Sequence, residues 1–555
     1  MSKQPWWRSS VVYQIYPKSF ADSNGDGIGD LRGIIGKLDY LQWLGINVIW
    51  ISPFFASPMV DNGYDISDYY RVDSQFGTND DLDELIEQAR RRDIRIVFDL
   101  VVNHCSDQHE WFKKACADPQ SEERGYFVIR HNDQINNWRS IFGGSVWSPM
   151  PGSSDEYYMH VFAKEQPDLN WENPALRRRV YQMINYWLDR GVAGFRVDAI
   201  TYIKKDQSFP SYAADGPDGL VGVNIGSNNQ PGIGAFLTEM RKETFDLHDC
   251  MTVAEASDIP YDQLAEYAGP DGFFSMIFEF HYQDPYVDPD NAAWYAKHEW
   301  TLEEWRSLIF KAQSEQQRLG VWSPTHLECH DSPRSVSRLL PEATYESTTM
   351  LATMFFLLRG TPFIYQGQEL GMRNTTMRDI SQFDDIFTRD QYQVALQAGM
   401  SEDEAFRCVA FRSRDNARTP MQWNDGPQAG FTTGVPWLPV NDDYRTVNVA
   451  TESAGQYSVL HYYRRLIKLR SDERYRDVLV DGESRPAYES NDGVIAYDRI
   501  SPDGREVRVV CNFQSSEVRL SLPERREIIL SNTGRNGFTD GETLVLQGYE
   551  AIVLD

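Results

Sequence analysis

In the stretch GFRVDAI, Arg196 and Asp198 stand two residues apart, and comparable apolar stretches end in Glu255 (MTVAEA) and in His330 and Asp331 (HLECHD). In an extended segment, residues two apart project to the same side, so Arg196 and Asp198 share one face. A carboxylate beside a guanidinium is kept ionised, as a nucleophile must be. Neighbouring strands lie about 4.8 Å apart, so a carboxyl ending the next strand, Glu255, comes near a separation of roughly 5 to 5.5 Å. At that separation one carboxylate can attack an anomeric carbon while the other protonates the leaving oxygen. Convergent carboxylates also chelate metals, but a guanidinium among them repels a cation. Asp99, followed by Asn103 and His104 in RIVFDLVVNH, is a further polar strand end. The bland alternative, a buried salt-bridge network, suits single residues better than the whole set.

These groups need a scaffold that brings several strand ends together. Eight short apolar runs recur: VVYQIY (11–16), VIWIS (48–52), RIVFDLV (95–101), GFRVDA (194–199), MTVAEA (251–256), FSMIF (274–278), HLECHD (326–331) and FIYQGQE (363–369). Amphipathic helical patterns such as DDLDELIEQARRRD (80–93) and ALRRRVYQMINYWLDRG (175–191) lie between them. Strand–helix alternation with eight strands predicts an α/β fold, a (β/α)₈ TIM barrel, whose active sites form at the C-terminal strand ends. The barrel is expected over 1–104 and 173–474. A lid subdomain inserts after strand 3 at 105–172, a second insertion follows strand 8 at about 371–440 with a short helix at SEDEAFRCVAF, and short alternating strands from 475 to 555 read as an all-β C-terminal sandwich domain.

Bulk properties exclude several partners. At 555 residues, with 54 Lys and Arg against 82 Asp and Glu, the chain carries a net charge of -28, which repels nucleic acid and anionic membranes. There is no apolar leader with a small-residue cleavage site and no membrane-length apolar window. Six cysteines without a CxxC pair suit free thiols in a reducing compartment, and a cytoplasmic location is expected.

The stretch DSNGDGIGD (22–30) follows the first nine positions of an EF-hand loop, but Gly33 occupies the twelfth position, where such a loop needs a bidentate Glu, and a strand-like run leads into it. The readings left open are an Asx/Gly turn and a structural Ca²⁺ or Mg²⁺ site.

GFRVDAI, TVAEA, DLVVNH and ECHDS resemble the four short conserved regions of glycoside hydrolase family 13, the α-amylase superfamily. QPDLNW (166–171), the opening WWRSSVVYQIYPKSFADSNGDGIGDLRGI and SRDNARTPMQW (413–423) resemble its oligo-1,6-glucosidase and α-glucosidase subfamily, with coverage from end to end. The resemblance implies Asp198 as nucleophile, Glu255 as acid/base and Asp331 as a third carboxylate gripping sugar hydroxyls. It implies His104, His330 and Arg196 around the bound glucose, and Asp61, Tyr64 and Arg418 as a wall that closes one end of the pocket, hence exo action on small oligosaccharides or disaccharides. Phe142, Phe162 and Gln166 are implied as further lining residues, with core packing an alternative for the two phenylalanines. It also implies that Asp22, Asn24, Asp26 and Asp30, with the Ile28 carbonyl, hold a structural Ca²⁺ or Mg²⁺, and it implies no organic cofactor.

Cys105 and Cys329 depart from the family pattern and place two thiols beside the expected pocket, as small space-filling residues in preference to metal or redox groups. Ala199, after the nucleophile, points to α-1,4 linkages, where Val goes with α-1,6 in this subfamily. The tract FEFHYQDPYVDPD lacks the arginine-rich loop of sucrose isomerases. The expected activity is an exo-acting retaining α-glucosidase. The alternatives are an α-1,6-specific or sucrose-isomer hydrolase, a transglucosidase or isomerase, and a non-catalytic scaffold.

Overall fold

A computed structural model describes residues 4–216, 218–288, 293–296 and 298–555, so the last two residues of the tract 278–290 lie outside the described residues. Eight parallel strands form the central sheet: β1 (Val12–Ile15), β2 (Val48–Ile51), β3 (Arg95–Val101), β4 (Gly194–Asp198), β5 (Met251–Ala254), β6 (Met276–Ile277), β7 (Pro324–Thr325) and β8 (Thr361–Tyr365). Their order is β6-β5-β4-β3-β2-β1-β8-β7, and the Ile277 N–H donates to the Trp322 carbonyl at 3.4 Å across the remaining gap, giving a nearly closed barrel. The TIM barrel with an all-β C-terminal region is therefore the observed fold.

Alternation along each strand sorts the side chains. Val12, Val48, Val97, Met251, Val253 and Met276 fill the barrel interior, while Tyr13, Ile49, Ile96, Phe98, Phe195 and Val197 face the helices. Asp99, Arg196 and Asp198 fall on the inward parity of β3 and β4, which pair with Arg196 opposite Asp99. The surrounding helices start where the sequence caps them. Asn79–Arg90 opens on a Thr78/Asp81 capping box and buries Leu82, Leu85 and Ala89; Leu302–Leu319 opens on a Thr301/Glu304 box and ends at the left-handed Gly320.

The expected seventh strand at 326–331 is corrected. The two-residue β7 pairs only with β8, and HLECHD is the loop that follows it. Buried Glu328 pulls that loop away from the ladder by accepting from Ser335 N at 2.8 Å and pairing with Arg334 at 3.1 Å. Between β3 and the helix Pro174–Asp189 lies a small three-stranded sheet (Ile129–His131, Glu156–Met159, Trp147–Pro149). Its core of Trp138, Val146, Trp147 and Met159 is shared with Tyr202, Phe209 and Val221 from the segment after β4. The segment after β8 contains two paired helices, Ile386–Gln397 as well as the expected Glu402–Arg412. A six-stranded sheet and a two-stranded antiparallel sheet form the C-terminal region, where buried Arg499 donates to the carbonyls of Leu357, Leu479, Val480 and Gly482.

Candidate active site

The inward faces of β3 and β4 and the end of β5 meet in one charge cluster. Arg196 Nη1 donates to Asp99 Oδ1 and to Asp198 Oδ1, both at 2.7 Å, and Nη2 pairs with Glu255. Arg196 stands beside Asp198, but its charge is shared among three carboxylates. Burial, opposed by Arg196 and reinforced by the charges of Glu255 and Asp99, pushes the Asp198 carboxyl well above the usual carboxylate range. Beyond Asp198 the chain turns sharply: Ala199 has φ 43° and ψ 35°, the left-handed region, and its N–H donates to Glu255 Oε2 at 3.0 Å. A side chain without a β-branch suits that conformation.

Asp331 sits opposite. Its Oδ1 accepts from Arg418 at 2.9 Å and Arg414 at 3.3 Å, and its Oδ2 lies 2.9 Å from His330 Nε2. Burial acts to raise this carboxyl, but His330, Arg414 and Arg418 outweigh it and hold it well below the usual range. The amide of Gln14 lies 2.8 Å from His330 Nδ1, and the ring stacks on Tyr64 with centroids 5.4 Å apart. Tyr64 in turn donates to Asp99 Oδ2 at 3.1 Å, which links the two carboxylate groups. His104 is buried, which lowers its pKa and keeps the ring neutral, and its Nε2 is 3.1 Å from the Tyr64 carbonyl and 3.1 Å from the Gln166 amide. Gln166 reaches Asp61 Oδ2 at 3.3 Å.

Part of this network borders a cavity of about 370 Å³, near the lower end of the range for small-ligand sites. Asp61, Tyr64, His104, Phe142, Phe162, Asp198, Ala199, Glu255 and Asp331 line it, as expected. Arg196, His330, Gln166 and Arg418 do not; they stand behind the lining residues and hold them in place, which departs from the expectation that Gln166 lines the pocket and that Arg196 and His330 ring the bound sugar. For Arg418 this is a correction: it is buried, donates to the His330 carbonyl at 2.9 Å and braces Asp331, while the arginine in the wall is Arg414. Arg414 ties Asp61 at 3.2 Å, Asp331 at 3.3 Å and Asp385 at 2.6 Å, and so closes the inner end. Both arginines belong to SRDNAR, and their spacing of four gave no sign of which one faces the cavity. The outer end was also missed. Tyr286, Trp294, Phe387 and Arg412 line it, from segments whose sequence carries no distinguishing motif.

The chain matches the family described as alpha amylase, catalytic domain, over residues 14–482. It belongs to the alpha-amylase family. The oligo-1,6-glucosidase of Bacillus cereus is 39% identical over 100% of this chain and 99% of its own. Among solved structures, the Bacillus licheniformis trehalose-6-phosphate hydrolase has a TM-score of 0.91 at 37% identity, covering 99% of both chains. The isomaltulose synthase of Klebsiella sp. LX3 has a TM-score of 0.92 at 36% identity, covering 100% of both. The protein is a glycoside hydrolase of this family.

In this alpha-amylase family member the loop 22–30 is held by its own hydrogen bonds. Asp22 accepts from the N–H groups of Asn24, Gly25 and Gly27 at 2.7–2.9 Å, and from Thr432 Oγ1 at 2.5 Å. Asp30 clamps Ser23 N at 2.8 Å and caps the helix Leu31–Ile35 through Gly33 N at 2.7 Å. Gly27 has φ +94°, and a Cβ there would lie 1.9 Å from the Val435 carbonyl. Four oxygen-bearing side chains and a carbonyl are the donor chemistry of a hard divalent cation, although each Asp22 oxygen already accepts two hydrogen bonds, so the fit is carried by Asn24, Asp26 and Asp30. The thiols of Cys105 and Cys329 do not line the cavity. Cys329 Sγ accepts the Asp331 N–H at 3.4 Å, and burial followed by the Asp331 charge pushes its pKa up to about 12, which makes it unreactive. Ligand atoms of Cys329, His330 and Asp331 lie within 4.8 Å of one another, but the two guanidiniums on Asp331 disfavour a cation there.

Proposed function

We propose that the protein is an exo-acting, retaining α-glucosidase that releases glucose from the nonreducing end of short α-glucosides. The observation that carries this reading is the pair Asp198 and Glu255, held on adjacent nitrogens of Arg196 and facing Asp331 across a cavity closed at its inner end. Two carboxylates gripping one guanidinium fit the close spacing of retaining enzymes better than the roughly 6.5 to 9.5 Å that an inverting pair needs. In the first step Glu255 gives a proton to the glycosidic oxygen, Asp198 attacks the anomeric carbon, and the aglycone leaves as an alcohol. In the second, Glu255 takes a proton from water, which displaces Asp198 and restores the anomeric configuration. Asp99, Asp198 and Glu255 share one guanidinium, so the site disfavours having all three ionised at once and keeps a proton for Glu255 to give while Asp198 attacks as the carboxylate.

Exo action is supported by the Asp61–Arg414 ion pair across the inner end. Ala199 supports α-1,4 linkages. A second reading, α-1,6 specificity, is favoured by relatives named oligo-1,6-glucosidase at 39–41% identity. A panel of maltose, isomaltose, sucrose, trehalose, kojibiose and nigerose decides linkage and exposes transfer products. NMR should show the α-anomer of glucose forming first, and initial β-glucose would overturn the two-step mechanism.

We further propose that Asp22, Asn24, Asp26, Asp30 and the Ile28 carbonyl hold a structural Ca²⁺ or Mg²⁺ that staples the loop to 431–437 and takes no part in bond cleavage. EDTA should lower Tm, and re-addition of the metal should restore it; an unchanged Tm returns the loop to a plain turn. Six free cysteines support a cytoplasmic location.

A further inference from the structure

The arginines around the catalytic centre are ion-paired to acids, with the exception of Arg412, which the charge of Asp284 reaches without a salt bridge. Arg196 and Arg414 each hold three carboxylates, Arg418 holds Asp331, and Arg338 holds Asp284. Arg412, which ends the helix Glu402–Arg412 and lines the outer part of the cavity, forms no ion pair among the described residues. Its one hydrogen bond among them is a long 3.5 Å contact from Nη1 to the Ala293 carbonyl. Two rings frame it, with the guanidinium carbon 5.8 Å from the centre of Tyr286 and 5.6 Å from that of Trp294. Its ring contacts are with Tyr286 and Trp294, and among the described residues it forms no hydrogen bond or ion pair with Asp61, Asp198, Glu255 or Asp331, which assigns it to the part of the cavity that takes the leaving group.

A guanidinium partly withdrawn from water, with most of its five N–H groups unclaimed among the described residues, is complementary to an anion, and its planar fork matches a carboxylate or phosphate in bidentate fashion. We propose that Arg412 receives an anionic substituent, a phosphate ester or a carboxylate, on the aglycone of the α-glucoside, and so sets substrate preference. The inference rests on the α-glucosidase reading above. Tyr286 and Trp294 hold the guanidinium plane and add an apolar face for the aglycone's carbon skeleton. The inner, glucose-binding end is unaffected by the charge of the leaving group, so the preference resides in the outer end alone.

The test compares kcat/KM within matched pairs, trehalose 6-phosphate against trehalose and α-glucosylglycerate against α-glucosylglycerol, for the native enzyme, Arg412→Gln and Arg412→Lys. The native enzyme should favour the charged member of at least one pair by about tenfold or more, and added salt should reduce that ratio. Arg412→Gln should bring the ratio close to one, and Arg412→Lys should keep part of it. A preference confined to one pair assigns phosphate or carboxylate as the ligand. Hydrolysis of the neutral members with no charge preference, or an equal loss on both members in Arg412→Gln, overturns the proposal. Failure to turn over any of the four, or p-nitrophenyl α-glucoside, overturns the α-glucosidase reading instead.

Discussion

The two ends of the cavity are built on different principles. At the inner end Asp61, Asp198, Glu255 and Asp331 are all tied to guanidiniums, so the side chains hold their geometry before any sugar arrives. At the outer end Tyr286, Trp294, Phe387 and Arg412 come from excursions after β6 and β8, and their contacts are mostly aromatic. Preorganised charge serves a transition state whose form does not change from substrate to substrate. Looser aromatic surface serves leaving groups that do. The contrast predicts that changes at the inner end cost all substrates alike, whereas changes toward the outer end redistribute preference among them.

The largest effect should come from Asp198→Ala, which is expected to lower kcat by about 10⁴-fold or more on every substrate; azide should restore turnover by forming a β-glucosyl azide. Residual activity that depends on the aglycone would break the comparison. Arg414→Met leaves three carboxylates without their shared partner, and a fall in kcat/KM of about 10²-fold is expected, the same for maltose and isomaltose, consistent with roughly 3 to 5 kcal/mol for breaking a buried pair. Ala199→Val, at the junction of the two ends, should change the ratio of α-1,4 to α-1,6 hydrolysis by roughly tenfold, from both added bulk and the poor fit of a β-branched residue to left-handed backbone. Equal losses on both linkages would assign Ala199 to the inner end.

The smallest effect is on stability. Asp198 has a folded-state pKa raised above its unfolded value of 3.8. It therefore favours the folded state below that value, and this contribution is lost as pH rises through the folded pKa. Asn in its place never ionises, so Asp198→Asn should match the native Tm near pH 3.5 and exceed it by about 1 to 3 °C at pH 7 to 8. Asp331 has the opposite sign: its depressed pKa adds stability above the unfolded value, which is lost as pH falls toward the folded one. A melting series from pH 3.5 to 8 on Asp198→Asn and the native protein separates the two.

Local pattern was enough for much of the barrel. Strand parity alone puts Arg196 and Asp198 on one inward face, and the capping sequences at Thr78 and Thr301 mark where helices begin. It was not enough for β7, where Glu328 draws HLECHD out of the sheet through residues six and seven positions ahead. Nor did it distinguish Arg414 from Arg418, since both lie in SRDNAR and only the path of the segment after β8 decides which one reaches Asp61.

What the sequence determined by itself is which carboxylates and guanidiniums stand at neighbouring strand ends, because period-two alternation and the order of strands depend on nearest neighbours. Tertiary structure alone decided how those groups share charge and which residues form the outer wall. Arg196 divided among three carboxylates, Arg414 spanning from Asp61 to Asp385, and Arg412 set between Tyr286 and Trp294 are outcomes of contacts between residues far apart in the chain. A carboxylate's charge state is set by the summed burial and field of its neighbours in space, and no local periodicity encodes that sum.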